Sequence, residues 1–178
     1  ASIGRKPKYA KVYVKEDDAG KPEMVVLPIQ GYGLWGTIYG FLTLESDLNT
    51  IKGISFYEHK ETPGLGARIE EPEWRAQWSG IESYDENGNV ATGVTKAGTP
   101  KENWVDGISG ATLTSRGVSN MVQFWLGEQG YKPYLDTLRE QSGQPIEGAD
   151  TQARQTKPAA QSNTELAALP PVANGKEA

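Results

Sequence analysis

The sequence predicts an α+β domain, a twisted and mostly antiparallel sheet carrying a few helices. Three observations point there. Short β-branched and aromatic runs, broken by glycine-containing turns, fill the first third of the chain, which is how consecutive strands read. Val118, Met121, Val122, Trp125 and Leu126 fall at i, i+3, i+4, i+7 and i+8, one face of a helix. Between them lies Asp106-Gly107-Ile108-Ser109-Gly110-Ala111-Thr112-Leu113-Thr114-Ser115, small residues followed by clustered hydroxyls. That stretch reads as a glycine-containing loop feeding a helix N-terminus, with Thr114 or Ser115 as its N-cap.

Taken in order, Tyr9 to Val14 alternates as a strand, and Asp17-Asp18-Ala19-Gly20 is a turn. Met24 to Leu44 contains no charged residue and is long enough to span a bilayer. Pro28, Gln30, Gly31, Gly33, Gly36 and Gly40 interrupt it too often for a membrane helix. It reads instead as two strands joined by a loop, Gly31 to Gly36. Thr50 to Tyr57 is a further strand with Ile51, Ile54 and Phe56 turned inward. It leads into His59-Lys60-Glu61-Thr62-Pro63-Gly64-Leu65-Gly66, a loop because Pro63, Gly64 and Gly66 forbid regular structure. Glu70 to Gly80 reads as a short helix with Trp74 and Trp78 one turn apart. Asp85 to Gly88 is a turn and Val90 to Thr95 a strand. Gly127 and Gly130 end the main helix, and Pro133 to Arg139 makes another. Residues 1–140 are thus one domain. Residues 141–178, rich in Gln, Ala, Pro, Thr and Asn and without aromatics, read as a flexible tail.

Composition excludes several functions. The chain has 178 residues, a net charge of −5 and a pI near 5.0, with no basic stripe, so nucleic acid is not a partner. It has no cysteine and a single histidine, so no metal site is expected, whether iron–sulfur or zinc. The loop before the helix lacks the Gly-Lys-Ser/Thr of a Walker A loop and the three-glycine dinucleotide fingerprint. Its helix N-terminus is nevertheless a place where free amides and the positive dipole end hold phosphate. Ser109 or Thr112 could act as a nucleophile, but no histidine or lysine stands beside either to activate it. Local chemistry leaves Thr112 and Thr114 both open as attachment points for a phosphorylated group.

The residues Asp106-x-x-Ser109-Gly110-Ala111-Thr112 resemble the flavinylation signature of the FMN-binding domain family. Gly31-Tyr32-Gly33-Leu34-Trp35-Gly36 and the loop His59 to Gly66 fit the same family, in the same order and spacing. The similarity runs from about Tyr9 to Arg139. It is to the branch found in sodium-translocating NADH:quinone oxidoreductases, with the related FMN domain of the Rnf electron-transport complex as the alternative. A cofactor-free scaffold of the same fold is the other alternative. The resemblance implies FMN joined covalently through its phosphate to Thr112 by an FMN transferase. Ser109, Gly110, Ala111, Leu113 and Thr114 would lie around the attachment. Trp35, Glu61, Thr62, Leu65 and Gly66 would contribute to the flavin site, and Asp106 would be read by the transferase or hold the loop in shape.

The implied role is electron relay within a membrane respiratory complex, with its other subunits as partners and no complete catalytic site in this chain. The domain would sit on the periplasmic face of the inner membrane. A membrane anchor ahead of the domain is expected in the native protein.

Overall fold

The computed structural model describes Ile3, residues 9–143 and residues 167–168. Its centre is a four-stranded antiparallel sheet whose strands lie side by side in sequence order: β2 (Tyr13–Glu16), β3 (Pro22–Tyr32), β4 (Thr37–Glu45) and β5 (Ile51–Glu58). Three helices follow: α1 (Pro72–Ala76), α2 (Thr112–Leu126) and α3 (Lys132–Ser142). A short strand β1 (Tyr9–Ala10) lies outside the main sheet and pairs antiparallel with β6 (Ala167–Ala168). The rest of the expected 141–178 tail beyond Gly143 lies outside the described residues.

Period-2 alternation gives the sheet one dry face. Val25, Leu27 and Ile29 of β3 and Ile38, Leu42 and Leu44 of β4 are buried. Val26, Pro28, Tyr39 and Phe41, on the opposite face, are half-exposed. Val118, Met121, Val122, Trp125 and Leu126 of α2 complete the core against that dry face, each large side chain worth about 1.5–3 kcal/mol of burial. The uncharged stretch from Met24 to Leu44 is therefore two paired strands, Leu27 opposite Leu42 and Gly31 opposite Ile38. No helix among the described residues is long and apolar enough to cross a membrane.

Pro28 sits inside a central strand, where a missing N–H normally breaks the ladder. The register explains why it is tolerated. β2 pairs with β3 only from Pro22 to Val26, so the outer edge of β3 is open from Pro28 onward. That edge is closed by side chains instead. The Tyr131 hydroxyl donates to the Pro28 carbonyl at 2.6 Å, and the Trp125 indole N–H donates to the Gln30 carbonyl at 2.7 Å. The two rings stack at 5.1 Å. Helix α2 comes close to β3 because two glycines meet it. A Cβ on Gly31 would lie 2.7 Å from Met121 Cβ, and one on Gly117 would lie 3.1 Å from Gly33 Cα.

Several sequence expectations are corrected here. The strand expected over Tyr9–Val14 divides into Tyr9–Ala10 and Tyr13–Glu16, which pair with different partners. The helix expected over Glu70–Gly80 is a 3-10 turn (Gly66–Glu70) and one turn of α1. Pro72 restarts the helix, and Gly80 at φ 83° turns the chain away. Val90–Thr95 makes only single bridges, Tyr84 to Val90 and Val94 to Val105. A side chain intercepts its backbone, the Val94 N–H donating to Ser119 Oγ at 3.0 Å.

Burial, the largest cause for both, pushes the phenols of Tyr84 and Tyr131 well above the usual value; for Tyr84 the nearby Arg139 guanidinium offsets part of the effect. The unfolded chain therefore releases these protons first. Their stabilisation is fully present below about pH 10, the unfolded value, and is lost as pH climbs toward the raised folded values. Urea unfolding between pH 7 and 11.5 is expected to show a midpoint that falls only above pH 10, and Tyr84→Phe or Tyr131→Phe to flatten that fall.

Candidate functional site

Three loops meet at the end of β3 where the chain leaves the sheet. The β3–β4 turn (residues 33–36) is one, the loop after β5 (59–66) the second, and the entry to α2 (107–114) the third. What joins them is one carboxylate. Glu61 is 5% exposed. Its Oε1 accepts the N–H groups of Leu34 and Trp35, each at 3.0 Å, and its Oε2 accepts the hydroxyl of Thr114. The Glu61 N–H donates to His59 Nδ1 at 3.1 Å, which places the imidazole proton on Nε2, 3.2 Å from Glu70 Oε1. His59 is thus spent on shaping its own loop.

Helix α2 begins at Thr112, with Ala111 in the N-cap position and no side-chain cap. The expected caps, Thr114 and Ser115, lie inside the first turn and are buried. Their hydroxyls have other partners. Thr114 donates to Glu61, and Ser115 Oγ accepts the Ile108 N–H at 3.0 Å. The first-turn amides of Thr112, Leu113 and Thr114 have no helical carbonyl ahead of them. Thr112 is exposed, as are Ser109 and Gly110 just before it. Gly110 adopts φ 79°, where a side chain is strained, and Leu65 packs onto it at 3.3 Å from the place a Cβ would take.

Apolar side chains stand uncovered around this turn. Trp35 is 63% exposed and Leu113 52%, and Leu34 and Leu65 are nearly half exposed. Four large exposed hydrophobics on three converging loops are more than scattered surface residues, and such a patch marks a binding surface. The structure thus brings Trp35, Glu61, Leu65, Gly66 and the run 109–114 to one place. The Thr62 side chain is exposed, and its carbonyl shapes the loop by accepting the N–H groups of Leu65 and Ala67, both at 3.1 Å. Sequence reasoning misses Leu34 as a site residue, although it stands inside the Gly31 to Gly36 loop.

Asp106 faces another way. One oxygen accepts the Gly98 N–H at 2.9 Å and lies 3.4 Å from the Thr95 hydroxyl. Its backbone is held as well, the N–H donating to Gln77 Oε1 at 3.0 Å and the carbonyl accepting the Trp74 indole at 2.9 Å. A cleft of about 330 Å³ lies along this side, lined in part by Arg68, Trp74, Gln77, Gly98, Asp106 and Ser109. No group of three or more metal-ligating side chains is present among the described residues.

An exposed threonine thus opens a helix beside an apolar patch, on an antiparallel sheet. Comparison with known proteins gives the family. Residues 33–127 match the FMN-binding domain family. The C subunit of the Na(+)-translocating NADH-quinone reductase of Pseudomonas aeruginosa is 47% identical over 145 residues, covering 79% of this chain and 55% of that protein. Its Vibrio parahaemolyticus counterpart is 46% identical over 144 residues, covering 79% and 54%. The crystal structure of Shewanella oneidensis NqrC superposes with a TM-score of 0.68 at 41% identity, covering 74% of this chain and 61% of that one. The equivalent structure from Parabacteroides distasonis gives 0.61 at 38% identity, covering 70% and 61%. The chain belongs to the FMN-binding domain family and, within it, to the NqrC proteins of Na(+)-translocating NADH-quinone reductases. It spans about half the length of the curated relatives it matches.

The Asp106 contacts carry a prediction. Asp106→Ala removes the acceptor of the exposed Gly98 amide and is expected to destabilise the domain by about 0.5–1.5 kcal/mol. Urea denaturation measures the loss, and faster amide exchange at Gly98 shows that the 95–98 turn is its source.

Proposed function

We propose that this domain is a flavoprotein electron relay, with FMN joined through its phosphate to the side chain of Thr112. The observation that carries the reading is the setting of that threonine. It is exposed, it opens a 15-residue helix, and exposed apolar side chains surround it. The other candidate hydroxyl, Thr114, is buried and donates to Glu61, so an incoming enzyme reaches Thr112 first.

The residues present fit the group. Thr112 Oγ would take the phosphate ester. The open amides of residues 112–114 and the positive end of α2 would balance the remaining negative charge. Ser109, Gly110 and Ala111 are small enough to let the phosphate approach, and left-handed Gly110 turns the chain so that Thr112 stands outward. Trp35, Leu65 and Leu113 offer apolar and aromatic surface for a flat ring, where aromatic stacking is worth about 0.5–1.5 kcal/mol beyond burial. Bound there, FMN supplies the reversible redox chemistry that no side chain of this cysteine-free chain provides.

Several further features belong to the same proposal. Its relatives' names place them in a Na(+)-translocating NADH-quinone reductase. The domain would accept electrons from one subunit of such a complex and pass them to another, at the periplasmic face of the inner membrane. An FMN transferase would attach the flavin during maturation. Asp106 would serve that step by shaping the loop, since its carboxylate already holds the Gly98 amide.

Coexpression with an FMN transferase tests the attachment. Wild-type protein is expected to keep a flavin absorbance band through denaturation and gel filtration. Thr112→Ala is expected to lose at least about nine-tenths of it with an unchanged unfolding midpoint, because an exposed first-turn side chain contributes little to stability. A covalent band persisting in Thr112→Ala would refute the site.

A further inference from the structure

Sequence resemblance puts Glu61 among the residues that contribute to the flavin site. The geometry points to a different role. We propose that Glu61 is a positioning residue, an internal clamp that fixes the Trp35 loop to the start of α2 without touching the cofactor.

Four observations support this. First, the carboxylate faces inward, at 5% exposure. Second, both oxygens are engaged, Oε1 by the amides of Leu34 and Trp35 and Oε2 by the Thr114 hydroxyl. Three of the roughly four acceptor positions of a carboxylate are thus taken from within the protein, and the remaining one lies on Oε2 of a buried side chain. Third, it has no ion-pair partner among the described residues. Its charge is balanced by hydrogen bonds and by the first turn of α2, so its place is fixed by those donors.

The fourth observation comes from the neighbouring glycines. A Cβ on Gly33 would meet Glu61 Oε1 well inside contact distance, and one on Gly66 would lie 2.6 Å from Thr114 Oγ1 and 2.7 Å from Glu61 Oε2. Neither residue has the positive φ that would by itself require glycine. At Gly33 the carboxylate shares the space with Ile38 Cδ1, 2.7 Å from that position, and at Gly66 the carboxylate and Thr114 fill it.

A clamp of this kind predicts a graded series. Glu61→Gln keeps an oxygen for the two amides and presents an amide N–H to the Thr114 oxygen, so it should preserve the arrangement. Glu61→Ala removes it. Thr114→Val, close in shape, removes the helix-side donor and so loosens the carboxylate's hold on the two amides as well. Gly33→Ala should displace the carboxylate with every donor still present.

Amide exchange of the flavin-free protein, followed by NMR, reads this directly. In Glu61→Ala, exchange at Leu34 and Trp35 is expected to accelerate about 10–100-fold, the equivalent of losing hydrogen bonds to a charged group, while Leu27 and Leu42 in the sheet stay protected. Glu61→Gln is expected within about threefold of wild type, since its hydrogen bonds are kept. Unchanged exchange at Leu34 and Trp35 in Glu61→Ala would overturn the proposal, and so would a Glu61→Gln variant as fast as Glu61→Ala. Should Glu61→Ala fail to fold, Thr114→Val decides: acceleration at both amides supports the clamp, and wild-type exchange overturns it.

The consequence for the cofactor rests on the flavin reading above. Flavin attached to Glu61→Ala should arrive at wild-type yield, because Thr112 remains exposed, but with its visible circular dichroism reduced severalfold, as its surroundings are no longer held. If neither wild type nor variant takes flavin, the flavin reading fails while the exchange result still decides the clamp.

Discussion

A buried carboxylate with no cation beside it among the described residues is the constraint around which this domain is arranged. Glu61 is removed from water, and an ionised group in that position is tolerated only when hydrogen-bonded. Its three donors come from two other loops, so satisfying one side chain forces those loops together. Gly33 and Gly66 leave the carboxylate its space, and Gly31 and Gly117 let α2 lie against the end of β3. Trp125 and Tyr131 then close the open edge of that strand around Pro28. The sheet, the helix and the site therefore share one set of contacts.

The same arrangement separates residues that display the site from residues that build it. Thr112, Leu113, Trp35 and Leu65 are uncovered, while Thr114, Ser115, Glu61 and Asp106 are engaged within the protein. A flexible loop could offer the same hydroxyl, but not in fixed relation to an aromatic surface. On the proposed reading, this support beneath Thr112 is what a tethered electron carrier would require, since the position of its redox group governs exchange with other carriers.

Much of this was legible in the sequence. Strands β3, β4 and β5 follow from alternation and glycine punctuation, and α2 from its helical spacing. The Asp106 to Ser115 stretch and the loops 31–36 and 59–66, singled out by their small residues and hydroxyls, are segments that the structure brings together. Contacts between residues far apart in the chain were less legible. Thr114 and Ser115 have the chemistry of N-caps, and only the inward placement of Glu61 and Ile108 shows why Ala111 takes that position instead. Asp106 has the look of a recognition residue until Gly98, Gln77 and Trp74 are seen around it. Val90 to Thr95 reads as a strand because Ser119, about 25 residues on, leaves no local sign that it will take the Val94 amide.

On the proposed reading these contacts display Thr112, and not its neighbours, for flavin attachment. The most direct test is the mass of the wild-type protein coexpressed with an FMN transferase, followed by fragmentation of the peptide that contains residues 102–116. A gain equal to FMN less one water, localised to Thr112, is expected. An unmodified mass under those conditions, or a gain localised to Ser109, Thr114 or Ser115, would contradict it.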